Sequence, residues 1–244
     1  MLVLAIGIAS AAATDVPAEP ATLTVLAAAS LTESFRAIAA AFEAARPGTH
    51  VTLAFAGSQT LAQQIRQGAP GDVFAAADEP TMQGLIDAGA IDGTPAVFAE
   101  NALAIVVPPG NPKGVHGLVD LARPGLVLVL AGPTVPAGRY AAQAFAKAGV
   151  AVPAGASQEA DVKAVVTKVG LGEADAGVAY VTDVTAAGDR VVGVDIPAAE
   201  NVVARYPIAV VKESRQRDAA RAFVAFVLGP EGRRALERAG FHVP

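Results

Sequence analysis

From Leu23 onward the chain alternates short apolar runs with segments of helical period. Leu23–Ala27 reads as a buried strand, and Leu31–Ala45 as a helix with Phe35, Ile38, Ala39 and Phe42 at helical spacing, stopped by Pro47-Gly48. A second strand is predicted over His50–Phe55, a helix over Thr60–Gln67 ended by Gly68, a strand over Asp72–Ala76 and a helix over Pro80–Ala88. The second half keeps this style without repeating the sequence. Strands are expected near Leu103–Val107, Val127–Leu130, Gly177–Ala179 and Val191–Val194, and helices near Gly138–Lys147, Asp161–Val169 and Thr182–Ala187. Ile208–Val211 reads as a late strand, followed by helices over Arg215–Leu228 and Glu231–Ala239.

A β-α-β-α rhythm of this kind specifies an α/β fold with a mostly parallel sheet flanked by helices. Ligands of such sheets bind beyond the carboxyl ends of the strands. Breaks at Glu100-Asn101 and at Arg205-Tyr206-Pro207 mark two crossings between two lobes and so a hinge. They divide the chain into a signal-like segment and tether (1–20), one lobe from 21–101 with 207–244, and a second lobe from 102–206.

Two serines stand where a β-type run gives way to a helical pattern: Ser30 after Leu23–Ala29, and Ser58 in Phe55-Ala56-Gly57-Ser58-Gln59. Each offers a hydroxyl beside the unpaired N–H groups of a helix N-terminus, which suits an anion. An ordinary cap is the competing role, and Ser30-Leu31-Thr32-Glu33 has the form of a capping box.

Composition narrows the chemistry. Of 244 residues, 53% are hydrophobic and 17% charged, enough to build a core, and the 24 glycines and 17 prolines are spread between periodic segments. A net charge of −5 without a basic run argues against nucleic acid as a partner. An anion would then be held by local N–H dipoles rather than by the global field. The absence of cysteine removes disulfides, thiolate catalysis and zinc–sulfur sites, and His50, His116 and His242 fall in no metal-binding spacing. Met1–Thr14 is uncharged and almost wholly apolar or small, and Ser10-Ala11-Ala12-Ala13 suits cleavage. The segment is too short for a membrane span and points to export by a signal peptide, although a charged n-region is missing and a buried N-terminal strand is the alternative. Thr14–Pro20 reads as a tether.

Five motifs occur in order: Ala27-Ala28-Ala29-Ser30-Leu31, Ala56-Gly57-Ser58-Gln59, Gly68-Ala69-Pro70-Gly71-Asp72-Val73-Phe74, Val135-Pro136-Ala137-Gly138 and Gly177-Val178-Ala179-Tyr180-Val181-Thr182-Asp183. In that order the chain resembles the periplasmic molybdate-binding proteins of molybdate ABC importers, which have the two-lobed type II periplasmic-binding-protein fold. The resemblance covers the chain from about Leu23 to its end. It implies a tetrahedral oxyanion, molybdate or tungstate, held between the lobes without a charged ligand. The Ser30 and Ser58 hydroxyls would contribute from the first lobe. The Ala137 and Val162 backbone N–H groups and the Tyr180 hydroxyl would contribute from the second. It also implies a monomer that hands its ligand to a membrane permease outside the cytoplasm, with no cofactor and no metal beyond the oxyanion itself.

The residues alone allow more. Pro136 favours the first turn of a helix, which would leave the Ala137 and Gly138 N–H groups facing outward as donors. Asp161 is most simply the N-cap before Val162, Tyr180 can equally be a half-buried core aromatic, and Arg139 is either a solvated helix residue or a support for the pocket turn. A receptor for sulfate, thiosulfate or phosphate is the nearest rival. An enzyme on the same scaffold would need a nucleophile, yet neither serine lies in GxSxG and no GxxxxGK[ST] loop exists. The effector-sensing half of a transcription regulator would need a basic helix-turn-helix before residue 23, where the segment is short and uncharged.

Overall fold

A computed structural model describes residues 21–244; the signal-like segment and tether expected over 1–20 lie outside the described residues. In chain order the first lobe begins with β1 (Ala21–Ala28), a 3-10 turn at Ala29–Leu31, α1 (Thr32–Ala45), β2 (Thr49–Ala56), α2 (Ser58–Arg66), β3 (Val73–Ala75), α3 (Glu79–Asp87) and β4 (Ile91–Asn101). The second lobe comprises β5 (Leu103–Val107), β6 (Leu128–Ala131), α4 (Pro136–Lys147), β7 (Ser157–Glu159), α5 (Val162–Gly170), β8 (Ala176–Tyr180), α6 (Val181–Ala187) and β9 (Val192–Asp195). The chain then returns to the first sheet as β10 (Ala204–Val211), α7 (Arg217–Leu228) and α8 (Pro230–Arg238).

The sheets have the orders β2-β1-β3-β10-β4 and β7-β6-β8-β5-β9. In both, the fourth strand is the one that has just arrived from the other lobe, and it alone runs against its neighbours. The two lobes are thus one plan used twice. β1, β2, β3 and β6, β7, β8 all end at the seam between them.

Both faces of the first sheet are covered, which explains the continuous apolar runs. Alternate residues of β1 serve opposite faces: Leu23, Val25 and Ala27 join one cluster and Leu26 another. On the first face, Phe35 and Phe42 of α1 meet Phe98 and Phe223 edge-on, with ring centroids 5.7 and 5.2 Å apart. On the other, Leu61 and Ile65 of α2 and Met82 and Leu85 of α3 pack over Leu26 and Phe74.

Three departures from expectation have physical causes. β4 was not foreseen because Gly93-Thr94-Pro95 reads as a turn; the strand tolerates Pro95 at the sheet edge, where no neighbour needs its missing N–H. β7 is three polar residues, Ser157-Gln158-Glu159, on another edge and carries no hydrophobic alternation. The late strand begins at Ala204 rather than Ile208 and runs straight through Arg205-Tyr206-Pro207, the stretch expected to break. Pro207 sits inside the sheet because the pairing with β4 shifts register between Tyr206 and Pro207.

The packing of α4 on its own sheet requires glycine at one position. A Cβ on Gly138 would collide with the carbonyl oxygens of Ala131 and Gly132, the end of β6. Replacing Gly138 by Ala must push the helix start away from the strand, and Gly138→Ala should destabilise the protein by about 1–3 kcal/mol in denaturant titration. A loss below about 0.5 kcal/mol would show that the helix start shifts freely.

Candidate functional site

Small residues at the strand ends bring backbone to the seam. A small, tightly closed cavity lies there, walled by Ala28, Ala29, Ser30, Gly57, Ser58 and Ala77 from the first lobe and by Val135, Pro136, Ala137, Asp161, Val162 and Tyr180 from the second. All five candidate residues, Ser30, Ser58, Ala137, Val162 and Tyr180, lie on this one wall. Each lies at or just after the carboxyl end of a strand that points at the seam.

Helix starts dominate the lining. Ser58 is the first residue of α2, Pro136 and Ala137 open α4, and Val162 opens α5. The first N–H groups of a helix have no carbonyl one turn back to bind, and the aligned peptide dipoles add partial positive charge there. No Lys or Arg lines the cavity. Its single carboxylate, Asp161, is the N-cap of α5, with Oδ1 accepting the Ala164 N–H at 3.0 Å.

The serines are not caps. The capping box expected at Ser30–Glu33 does not form: Leu31 occupies the N-cap of α1 without a side-chain bond, and Glu33 turns to Lys163 at 2.8 Å. The reason is competition, since Ser30 Oγ lies 3.1 Å from the buried Tyr206 hydroxyl. At α2 the N-cap is Gly57, and Ser58 Oγ instead accepts the Ala77 N–H at 3.0 Å. Tyr180 is 1% exposed, and its hydroxyl finds no hydrogen-bond partner among the described residues. Burial holds that phenol well above its ordinary pKa, so it stays protonated as a donor. An unpaired buried hydroxyl costs about 1–3 kcal/mol, which a ligand oxygen would remove.

Apart from Asp161, the charged groups around the cavity stay out of its lining. Arg139, one residue past the Pro-Ala-Gly turn, is no solvated bystander: Nε donates to Asp78 Oδ2 across the seam at 2.8 Å, and Nη2 donates to the same oxygen and to Thr81 Oγ1 at 2.7 Å. Asp78 also caps α3 by accepting the Thr81 N–H at 3.1 Å. Lys163 reaches Glu33 of the first lobe and, at 3.2 Å, Asp183 of its own. Gln59 Nε2 donates to the Ala160 carbonyl at 3.0 Å, and Gly57 is so near that carbonyl that a Cβ would stand 2.6 Å from it. Sequence reasoning missed Tyr206, Asn101, Asp78 and Ala77 here. None carries a motif, and their roles depend on strands that meet only in the fold.

The model of the bacterial extracellular solute-binding proteins matches residues 23–242. The chain is 43% identical over 222 residues to the molybdate-binding protein ModA of Mycobacterium tuberculosis, covering 91% of this chain and 85% of that protein. Among solved structures, the periplasmic molybdate-binding protein of Azotobacter vinelandii matches with a TM-score of 0.75 at 22% identity, covering 91% of this chain and 99% of that one. The sulfate-binding protein SubI of M. tuberculosis matches at 0.78 and 23%, covering 91% and 87%. These two likenesses concern the fold.

Asp183 gives the site a pH signature. Burial pushes its carboxyl up to about 6, against the pull of Lys163. Between about pH 4 and 6 the folded chain therefore holds a proton that the unfolded chain has released, and the group's contribution to stability falls as pH rises through that window. Asp183→Asn removes the titration. From pH 4 to pH 7 the stability difference between variant and wild type should move in the variant's favour by on the order of 2–3 kcal/mol, read from denaturant titrations at each pH. A difference that stays flat across the window would mean that Lys163 holds Asp183 ionised throughout.

Proposed function

The chain belongs to the bacterial extracellular solute-binding proteins, and on that premise we propose that it is the extracytoplasmic receptor that captures molybdate, and tungstate, and presents it to the permease of an ABC importer. One observation carries the proposal: the five positions implied by the resemblance to molybdate-binding proteins line a single small cavity at the seam, with donors from both lobes and no cation. The 43% identity to a protein named for molybdate binding supports the choice of anion. Membership of the family supports a transport receptor rather than an enzyme.

In this mechanism the anion is bound by donors alone. Ser30 and Ser58 offer hydroxyls from the first lobe, Ala137 and Val162 offer backbone N–H groups from the second, and the Tyr180 hydroxyl closes the set. The lobes, taken as 21–101 with the return from Ala204 onward against the stretch between, close on the ligand as a monomer. A dianion without protons satisfies every donor. Hydrogen phosphate brings its own O–H into a wall whose one carboxylate, Asp161, holds its Oδ1 to the α5 cap, and an O–H that Asp161 Oδ2 does not accept costs about 1–3 kcal/mol.

Sulfate meets the same proton requirement, and the likeness to a sulfate-binding fold makes it the rival ligand. Melting scans and calorimetric titrations with molybdate, tungstate, sulfate and phosphate separate the two. Molybdate and tungstate should raise the melting temperature most, with a stabilisation of about 4 kcal/mol at 1,000 times the dissociation constant. Sulfate should compete better than phosphate between about pH 6 and 8. Ser30→Ala and Ser58→Ala should each weaken molybdate by about 1.5–3 kcal/mol, whereas a hydroxyl outside the site would leave affinity unchanged. A shift with sulfate alone would overturn the assignment.

A further inference from the structure

The Ser30 hydroxyl is engaged from behind by a buried chain of polar groups. Its Oγ lies 3.1 Å from the Tyr206 hydroxyl, that oxygen lies at a long 3.5 Å from Asn101 Nδ2, and the same amide nitrogen donates to Thr182 Oγ1 at 2.8 Å. Ser30, Asn101, Thr182 and Tyr206 are all buried. The amide of Asn101 is fixed end for end, because its Oδ1 accepts the Ala102 N–H at 3.0 Å.

Direction follows from that orientation. Asn101 presents only N–H groups toward Tyr206, so of these two neighbours Ser30 Oγ is the one able to accept the phenolic proton. Burial keeps that proton in place by raising the Tyr206 pKa far above its ordinary value. Ser30, accepting from Tyr206, has its own proton free for the cavity. Ser58 is set the same way by backbone, since its Oγ accepts the Ala77 N–H.

We propose that Asn101 and Tyr206 are positioning residues that lock the Ser30 hydroxyl as a donor, and so make the cavity selective for tetrahedral oxyanions that carry no proton. The inference rests on the oxyanion-receptor reading and deepens it. Both residues lie on the strands that run to and from the other lobe, Asn101 at the last position of β4 and Tyr206 in β10, while Thr182 belongs to α6 of the second lobe. The lock is therefore built where the lobes join.

Calorimetric titration of four variants tests it, with melting curves as the folding control. Tyr206→Phe keeps the ring, which packs edge-on against Phe98, Tyr180 and Phe241. It should weaken molybdate about tenfold in the native background and less than about twofold in a Ser30→Ala background, because Tyr206 acts through Ser30. Asn101→Asp replaces the donor facing Tyr206 by an acceptor, which lets the phenol turn and Ser30 accept. At about pH 8, where phosphate is mainly a dianion like molybdate, the molybdate-to-phosphate affinity ratio should fall about tenfold. Equal losses from Tyr206→Phe in both backgrounds, or an unchanged ratio in Asn101→Asp, would overturn the lock while leaving the receptor reading intact. A wild-type protein that binds sulfate instead moves the same cycle to sulfate and overturns only the molybdate assignment. A wild-type protein that binds no tetrahedral oxyanion overturns both.

Discussion

Unpaired N–H groups at helix starts are the constraint on which the site depends. A parallel strand must hand over to a helix at its carboxyl end, and the first turn of that helix has donors that nothing in the helix can satisfy. One such turn is solvated at little cost. Here two copies of the same strand order face each other, so the starts of α2, α4 and α5 and the 3-10 turn before α1 meet at one seam. The alanines and glycines along that seam follow from it, because larger side chains would keep backbone from approaching a shared ligand.

The same logic explains where the charges stand. A protein with a net charge of −5 cannot draw an anion by its overall field. A Lys or Arg in the cavity would hold any anion without regard to its shape or protonation. The cations near the seam are instead committed elsewhere, Arg139 to Asp78 and Lys163 to Glu33 and Asp183. What remains lining the cavity is a set of neutral hydroxyl and N–H groups, set by backbone and by buried partners, together with the Asp161 carboxylate.

Much of this was legible in the sequence, for a physical reason. Strand-then-helix junctions show as a change of hydrophobic period, and the residues that line the cavity sit within one or two positions of those changes. Pro136 at a helix start and Asp161 as a cap follow from local chemistry alone. The parts that escaped are those fixed by distant contacts. Ser30-Leu31-Thr32-Glu33 has the form of a capping box, yet the buried Tyr206 hydroxyl and Lys163 take both ends of it. Pro207 looked like a break because the bulge that accommodates it depends on β4, a strand hidden behind its own turn-like Gly93-Thr94-Pro95.

On the proposed function, closure of the lobes is balanced by the same unpaired groups. The ties across the seam are few, and most are wet: Glu33, which meets Lys163, is 52% exposed in its side chain, and exposed ion pairs contribute at most about 1 kcal/mol. Asp78 is buried and takes Arg139 through two donors, so that tie is the stronger one. Against these stands the cost of shutting Tyr180 and several helix-start N–H groups into a cavity without partners. A closed, empty protein therefore pairs its charges and strands its donors. Since a ligand shifts an equilibrium only by its differential affinity for the two states, the oxyanion that satisfies those donors supplies the difference. Selectivity and closure are then one event: an anion that leaves a donor or a proton unpaired binds more weakly and also holds the lobes together less well.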